Sequence, residues 1–350
     1  MNITFLIGNG FDLNLGLKTA YGHFLKHYLS HTDGDNPKVT YFKEKINRNW
    51  ENWADVELAL GQCTKDYTDA EVFMECYDDL FDKLAEYLSN EEKKLEKYDQ
   101  EIFGEAMQHA MTNWREGFRV QRSTVIESHI KRITGEFVYN FIVFNYTYTL
   151  DRAVQALNGK SLGYRRINNT QHPNLLGQRI HVHGYTDKDM ILGLNDISQI
   201  ANAKLFNDCD VFDAGRLIKP EANLMMENNT DRLTHALLEK SDLLYIYGMS
   251  LGDTDRIWWE RIGKVMEKKP DLQVIIYCYD APNDALHYHK FRRHENRIRA
   301  KLCDYFDASN LAFGDRIHVT GMNIFSKMKN IVAEQVENLE DVDATNTLSM

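Results

Sequence analysis

The stretch ITFLIGNGFD at positions 3–12 decides the fold class that this chain is expected to adopt. Its first five residues form a short apolar run with β-branched and aromatic side chains, which predicts a buried strand. Gly8, Asn9 and Gly10 then predict a tight turn, and residues 21–28 place apolar side chains at helical spacing, with Thr19 as the expected N-cap. Strand, glycine turn and helix are the typical opening of a nucleotide-binding α/β unit.

Length and composition limit the class of protein. At roughly 150 residues per domain, a chain of 350 residues forms one large domain or two modest ones. Its hydrophobic fraction of 43% is that of an ordinary globular protein and excludes disorder. The 41 basic and 52 acidic residues give a net charge of −11, so nucleic acid is the weaker partner hypothesis.

Cysteine usage and hydropathy indicate the compartment. The five cysteines are scattered and form no C-x-x-C pair, which argues against a disulfide framework and against a thiolate zinc site. No apolar run reaches the roughly 18–20 residues of a membrane span, and the first ten residues lack the basic start of a signal peptide. We therefore expect a cytoplasmic protein with no membrane partner.

The segment 33–135 differs in character from what precedes it. Runs of β-branched residues disappear, charge density rises, and residues 71–97 and 100–133 show helical periodicity. Trp50, Trp53, Val56 and Leu60 fall on one stripe of a predicted helix, which is more typical of a packed core than of a cofactor site. We predict an inserted helical module, whose surface is the expected contact for a protein partner or for a homo-oligomer.

Apolar runs resume after this module and alternate with helical segments. Predicted strands lie at 137–145, 179–183, 190–194, 243–247, 272–278 and 316–319, and predicted helices at 230–240, 254–268, 284–305 and 322–339. This alternation predicts an α/β fold with an open, mostly parallel sheet and a large α-helical insertion. The sheet domain is predicted to comprise residues 1–32 and 136–340, and residues 341–350 a polar tail.

The residues that follow each apolar run are the candidates for a functional site, because ligands of an open α/β sheet bind outside the carboxyl ends of its strands. Glycines let a backbone approach phosphate, carboxylates and amides accept hydrogen bonds from ribose hydroxyls, and histidine suits general-base catalysis. Each of these residues also has a structural explanation, as a turn, a cap or a satisfied core histidine. The candidates are Gly8, Asn9, Gly10, Phe11, Asp12, Asn145, Thr147, His183, Gly248, Ser250 and Asp253.

The order of these motifs resembles that of sirtuin-type NAD-binding domains. The glycine turn at 8–10 is followed by Asn145 after a strand, by His183 before a glycine, and by the GMSL turn at 248–251. The chain is also similar to the AbiH family of bacteriophage abortive-infection proteins, in IGNGFD at 7–12, WADVE at 53–57, FNYTYTL at 144–150, HVHG at 181–184 and GMSLGDTD at 248–255. The AbiH resemblance implies phage defence in a bacterial cell.

The sirtuin-like order implies a Rossmann-like, sirtuin-like sheet with NAD as ligand or substrate. By that resemblance, Asn145 orients the ribose or a water, and His183 acts as the base. The turn at 8–10 holds the pyrophosphate, and Ser250 contacts the adenosine side. The zinc-binding cysteine quartet of protein-deacylating sirtuins is absent. The resemblance therefore implies cleavage of the nicotinamide–ribose bond rather than deacylation, and no metal is predicted.

Three functions stay open at this point. They are an NAD-hydrolysing effector, a non-catalytic nucleotide-binding sensor or interaction module, and a nucleic-acid-processing effector. The last rests only on a basic run between Lys290 and Lys301, which is more typical of a solvated helix face. The histidines at 23, 27 and 31 predict a surface stripe rather than a metal site. Lys219 has no firm role, although a lysine there could reach an anionic ligand, and a nucleotide related to NAD is an alternative ligand.

Overall fold

The structure, a computed structural model, describes residues 1–32, 34–116, 118–206, 215–282, 286–306 and 311–333. Six of its strands form one sheet in the order β5-β2-β1-β6-β7-β8, and the other two form a separate antiparallel hairpin. The strands are β1 (Asn2–Ile7), β2 (Val138–Val143), β3 (Tyr164–Ile167), β4 (Thr170–Pro173), β5 (Leu175–His181), β6 (Leu243–Tyr247), β7 (Gln273–Tyr277) and β8 (Ile317–Thr320).

All neighbours in the six-stranded sheet are parallel. Counted in chain order, its strands lie in the order 3-2-1-4-5-6, which is the arrangement of the dinucleotide-binding α/β folds. The predicted α/β fold with an open, Rossmann-like parallel sheet is therefore confirmed. The direction in which the chain adds strands reverses between β1 and β6, so the carboxyl ends of these two strands mark the switch point where such folds bind ligands.

Helices follow most of the strands, as the alternating pattern predicts. The residues at 326–333 are also helical. The named helices are α1 (Gly10–Asn14), α2 (Tyr21–Ser30), α3 (Pro37–Arg48), α4 (Val56–Cys63), α5 (Ala70–Glu92), α6 (Gln100–Thr112), α7 (Val120–Arg132), α8 (Thr149–Gln155), α9 (Lys219–Met225), α10 (Thr230–Lys240), α11 (Arg256–Lys268) and α12 (Tyr288–Tyr305).

Helices cover both faces of the sheet. On one face α6, α7, α8 and residues 326–333 pack around Phe5, and on the other α10, α11 and α12 pack around Leu6. Successive side chains of a strand point to opposite faces, so β1 supplies both cores from one apolar run. Burial on both faces explains why the strands are almost continuously apolar.

A third core lies in the helical module. Helices α2 to α5 enclose Phe24, Phe42 and Phe73, together with the apolar residues between Met190 and Leu194. Helices α6 and α7, although they belong to the same predicted insertion, pack on the sheet. The inserted residues therefore contribute to two cores, and the module built from α2 to α5 lies over the segment 190–194.

The predicted strand at 190–194 is wrong. Only Leu194 pairs there, in an isolated bridge with Ile218, and the Tyr77 hydroxyl donates to the main-chain oxygen of Leu192 over 2.7 Å. The apolar residues that suggest a strand are buried by the helical module instead of by a sheet. Burial without strand pairing gives the same sequence pattern.

Two local predictions near the start of the helical module also differ from the structure. Thr19 does not cap α2, because the N-cap of that helix is Ala20. The Thr19 hydroxyl instead donates to the side-chain oxygen of Asn9 over 2.6 Å. The stripe that begins at Trp50 is not one helix, because Trp50–Trp53 is a 3-10 turn and α4 begins at Val56.

Other predicted boundaries agree only in part. The helix expected from 284 begins at Tyr288 in the structure, and residues 283–285 lie outside the described ranges. The end of the helix expected to reach 339, and the tail at 341–350, also lie outside them. The hairpin of β3 and β4 was not predicted, because its tip is Asn168-Asn169 with positive φ angles rather than a turn that contains glycine.

Candidate functional site

A cavity of about 1010 Å³ opens at the switch point, beyond the carboxyl ends of β1, β2 and β6. Its wall combines loops of the sheet with the helical module, and residues of all three cores line it. The sequence candidates that line it are Gly8, Asn9, Gly10, Asp12, Asn145, Thr147, His183, Gly248 and Ser250. Phe11 and Asp253 are outside this lining.

The glycines at 8–10 bring the turn after β1 against the turn after β6. A Cβ on Gly8 would lie 2.6 Å from the main-chain oxygen of Gly248, and one on Gly10 would overlap the Cα of the same residue. The Gly10 amide donates to Gly248 O over 2.8 Å, the Gly8 amide to Tyr247 O over 2.9 Å, and the Phe11 amide to Gly8 O over 3.0 Å. These three amides are therefore engaged within the protein, which leaves close packing of the two turns as the observed role of the glycines.

Asn9 and Phe11 serve the structure around this turn. The side-chain nitrogen Nδ2 of Asn9 donates to the main-chain oxygen of Thr19 over 3.1 Å. Asn9 and Thr19 therefore exchange two hydrogen bonds, which fix the start of α2. The Phe11 ring is fully buried and packs edge-on against Phe325 at 5.0 Å between centroids. Phe11 is therefore a core residue, and its side chain is not part of the cavity lining.

Asp12 is a carboxyl group held in a nearly dry position. It is 1% exposed, its Oδ2 accepts from the Thr147 hydroxyl over 2.6 Å, and its Oδ1 has no hydrogen-bond partner among the described residues. Burial raises the pKa of Asp12 to about 7, although the side chains of Thr147 and Asn145 oppose the shift. The group can therefore gain or lose a proton near neutrality.

Replacing Asp12 with asparagine should change how the free energy of unfolding depends on pH. The carboxyl has this raised pKa only in the folded state, so the wild type loses stability as pH rises from about 4 to about 7. Over that range the carboxyl of the unfolded chain is ionised, whereas the buried one still holds its proton. Asp12→Asn lacks this cost, so its stability relative to wild type should rise by roughly 2–4 kcal/mol between pH 5 and pH 8. Urea unfolding at both pH values measures it, and parallel curves for the two proteins would contradict it.

Asn145 and His183 come from neighbouring strand ends and meet the cavity together. Asn145 is 6% exposed, and its Oδ1 has no partner among the described residues. His183 is equally buried, and its ring packs edge-on against Phe144. Burial, followed by the positive charge of Lys219, holds the pKa of His183 well below its usual range. The imidazole is therefore neutral at physiological pH and a weak base.

The first histidine of the HVHG motif, His181, has a structural role. His181 Nδ1 lies 3.0 Å from the main-chain oxygen of Asn145, and its Nε2 lies 2.8 Å from a carboxylate oxygen of Asp151. Its ring stacks on Tyr185 at 4.0 Å. His181 thus fixes the backbone that carries Asn145. Gly184, which follows His183, has a φ of +70° and lets the chain turn away from the cavity.

The turn after β6 contributes through its later residues. Ser250 lies exposed in the cavity lining, whereas the Asp253 carboxylate accepts from the Tyr305 hydroxyl over 3.0 Å outside it. Thr254 and Asp255 line the cavity instead. Burial raises the pKa of Asp255, with Lys219 opposing the shift.

The helical module and the segments that face it add functional groups that the sequence reasoning missed. Glu57 on α4 and Lys219 at the start of α9 form an ion pair of 2.7 Å within the cavity wall. Tyr21, Tyr146 and Asp55 also line the cavity. The WADVE motif includes Glu57, and Lys219 was noted as a lysine that could reach an anion, but no sequence signal indicated that the two residues meet.

Burial raises the pKa of Glu57 to about 7, because the negative charges of Asp255 and Asp55 add to burial and exceed the opposing effect of Lys219. For Lys219, burial alone would lower the pKa, but Glu57 and Asp255 together raise it. Lys219 is therefore charged at neutral pH, and Glu57 titrates near neutrality. More acidic than basic side chains line the cavity.

The basic run of α12 is largely occupied by contacts within the protein. Arg292 and Arg299 both form ion pairs with the fully buried carboxylate of Glu295, which also binds Arg122. Arg297 contacts the ring of His294 over 3.0 Å. The run therefore anchors a helix to the sheet rather than presenting a row of free cations.

Fold and cavity together define the class of the protein: a Rossmann-like α/β protein with a helical module over the ligand-binding edge of its sheet. Within the described ranges, no helix combines the length and apolar character needed to cross a bilayer. The family described as bacteriophage abortive infection AbiH matches residues 4–277, which include β1 to β7 and most of the cavity wall. The chain therefore belongs to the AbiH family. Curated protein sequences give no significant match.

Proposed function

We propose that this chain is an abortive-infection effector that binds NAD in the switch-point cavity and hydrolyses its nicotinamide–ribose bond. The observation that carries the proposal is that Asp12, Asn145 and His183 line one cavity at the switch point of a 3-2-1-4-5-6 sheet. Two of the three keep a buried oxygen that has no partner in the described part of the chain, and a ligand hydroxyl can satisfy it.

The charge of the cavity favours the nicotinamide end of NAD. The nicotinamide ring of NAD is cationic, and the carboxyl groups of Asp12, Glu57 and Asp255 lie in the cavity lining. Cleavage passes through an oxocarbenium-like state that is also positively charged, as in other glycosyl transfers. Carboxylates near the ribose therefore stabilise the charge that develops, while nicotinamide leaves as a neutral molecule and needs no strong acid.

The expected placement of the ligand follows from the polar groups of the wall. Asp12 and Asn145 offer acceptors to the ribose hydroxyls, and the neutral His183 can exchange a hydrogen bond with the same sugar. The pyrophosphate is expected nearer Lys301 and Lys329, which lie exposed in the cavity lining, because the main-chain amides of Gly8 and Gly10 are engaged. Ser250 is then in reach of the adenosine side.

Nicotinamide release from purified protein incubated with NAD tests the proposal. We expect turnover by the wild type and a loss of roughly 100-fold or more in kcat for Asn145→Ala and His183→Ala, since both act on the reacting sugar. Asn140→Ala and His318→Ala change a buried asparagine and a buried histidine outside the cavity lining and serve as matched controls. NADH, whose dihydronicotinamide is uncharged, should not be cleaved.

Three results would contradict the proposal or part of it. Equal turnover in wild type and both cavity variants would overturn the assignment of Asn145 and His183. ADP-ribose binding by calorimetry without any product from NAD would replace the hydrolase with a non-catalytic nucleotide sensor. Neither binding nor turnover would overturn NAD as the ligand.

A further inference from the structure

The cavity contains an ion pair that the proposed roles of Asn145 and His183 leave unused. Lys219 Nζ donates to Glu57 Oε2, and both side chains are only 7% exposed. Taking two charges out of water costs several kcal/mol per ion before their attraction is counted, so a buried pair is a poor way to stabilise a fold. A buried pair in the wall of a ligand-binding cavity is better explained by chemistry done there.

The second oxygen of Glu57 retains acceptor capacity. Tyr21 OH lies 3.3 Å from Glu57 Oε1, and Tyr146 OH lies 3.4 Å from it. Tyr146 has a single hydroxyl proton and donates it over the shorter distance of 3.0 Å to the main-chain oxygen of Ile191. Among the described residues, Glu57 Oε1 therefore accepts only the long hydrogen bond from the Tyr21 hydroxyl, and it can accept another from a water in the cavity.

The groups that face Glu57 set its protonation. Lys219 favours the carboxylate, whereas burial and the neighbouring acidic groups favour the protonated form, so the carboxyl titrates close to neutrality. A general base is most effective when it titrates near the working pH, and His183 is a weaker candidate because its pKa is held low. The titratable groups that face Glu57 are Lys219, Tyr21, Tyr77, Tyr146, Asp55 and Asp255.

We propose that Glu57 is the general base of this hydrolysis and that Lys219 is its positioning residue, an inference that rests on the proposed function. Glu57 Oε1 takes a proton from a water whose oxygen bonds to C1′ of the nicotinamide ribose. The bond between C1′ and the ring nitrogen breaks, its electron pair goes to that nitrogen, and nicotinamide leaves neutral. ADP-ribose is the other product, and Glu57 then releases its proton to solvent. The helical module thus supplies the base for a site built on the sheet.

The pH profile of kcat for NAD hydrolysis, compared between variants, tests this inference. Wild-type kcat should rise with pH through a midpoint near 7 to a plateau, because the carboxylate is the active form. Glu57→Gln should lower kcat about 100-fold or more and remove the rise. Glu295→Gln removes a different buried, ion-paired carboxylate outside the cavity lining and should keep the wild-type profile.

The outcomes separate this inference from the function on which it rests. A wild type that releases no nicotinamide overturns the proposed function. A wild type that turns over, with an unchanged kcat and pH rise in Glu57→Gln, overturns only the role of Glu57. If Glu57→Gln does not fold, Glu57→Asp decides: a kcat at least tenfold lower with the pH rise retained supports the role, and a wild-type kcat contradicts it.

Discussion

Replacing Lys219 with methionine is expected to lower the free energy of unfolding by about 3–5 kcal/mol at pH 8, because it leaves the buried Glu57 carboxylate without its partner. At pH 5.5 the loss should be smaller. Burial without Lys219 raises the pKa of Glu57 further, so the carboxyl is protonated there and no charge is left unpaired. Urea unfolding at the two pH values measures the difference.

Two further variants make this result specific to the buried pair. Adding Glu57→Gln to Lys219→Met removes both charges and should recover most of the lost stability at pH 8. Lys38→Met breaks the exposed pair with Glu75 and should change stability by no more than about 1 kcal/mol. Equal losses in Lys219→Met at both pH values, or no recovery in the double variant, would show that the pair is not a buried ion pair in solution.

Gly10→Ala is expected to destabilise the protein by roughly 3 kcal/mol, near the upper end of the usual cost of overpacking. The added Cβ would overlap the Cα of Gly248, which is backbone and can move only if the turns after β1 and β6 separate. That separation would also break the hydrogen bond from the Gly10 amide to Gly248 O. Because the two turns form one wall of the cavity, binding of ADP-ribose should weaken as well.

Gly22→Ala is the matched control for this prediction. Gly22 lies in α2, and a Cβ there would meet no atom of the described residues within 4 Å apart from its chain neighbours and the backbone of its own helix. Alanine has the higher helix propensity, so this variant should gain up to about 1 kcal/mol. Urea unfolding of the two variants and calorimetry with ADP-ribose measure both effects. A Gly10→Ala variant as stable as Gly22→Ala would mean that the turns are not packed against each other.

The parts of the fold that could be predicted from sequence are the strands and helices whose own residues carry a regular apolar pattern. β6 and α10 match the predicted segments residue for residue, since a continuous apolar run and a clear helical period define them. The segment 190–194 could not be distinguished from a strand, because the helical module that buries it is distant in sequence. The hairpin of β3 and β4 has an exposed, polar sequence with no apolar alternation to reveal it.

The residues of the candidate site also differ in whether the sequence could indicate them. Asp12, Asn145 and His183 could be found because parallel strands bring every carboxyl end to one edge of the sheet. Glu57 and Lys219 could not be paired by sequence reasoning, since they are 162 residues apart and meet only after the helical module folds over the sheet. The engagement of the Gly8 and Gly10 amides was equally unpredictable, because their acceptors, Tyr247 O and Gly248 O, lie at the end of β6 and in the turn that follows it.

The central position of β1 has a consequence for the synthesis of the chain. Its residues pair with β2, which begins at Val138, and with β6, which begins at Leu243, so both partners are made long after β1 itself. During synthesis, β1 therefore cannot pair with both of its neighbours until β6 has emerged from the ribosome. Asp255, Asn323 and Lys329, which also line the cavity, are made later still. A protein of this architecture is therefore without a complete cavity during most of its own translation.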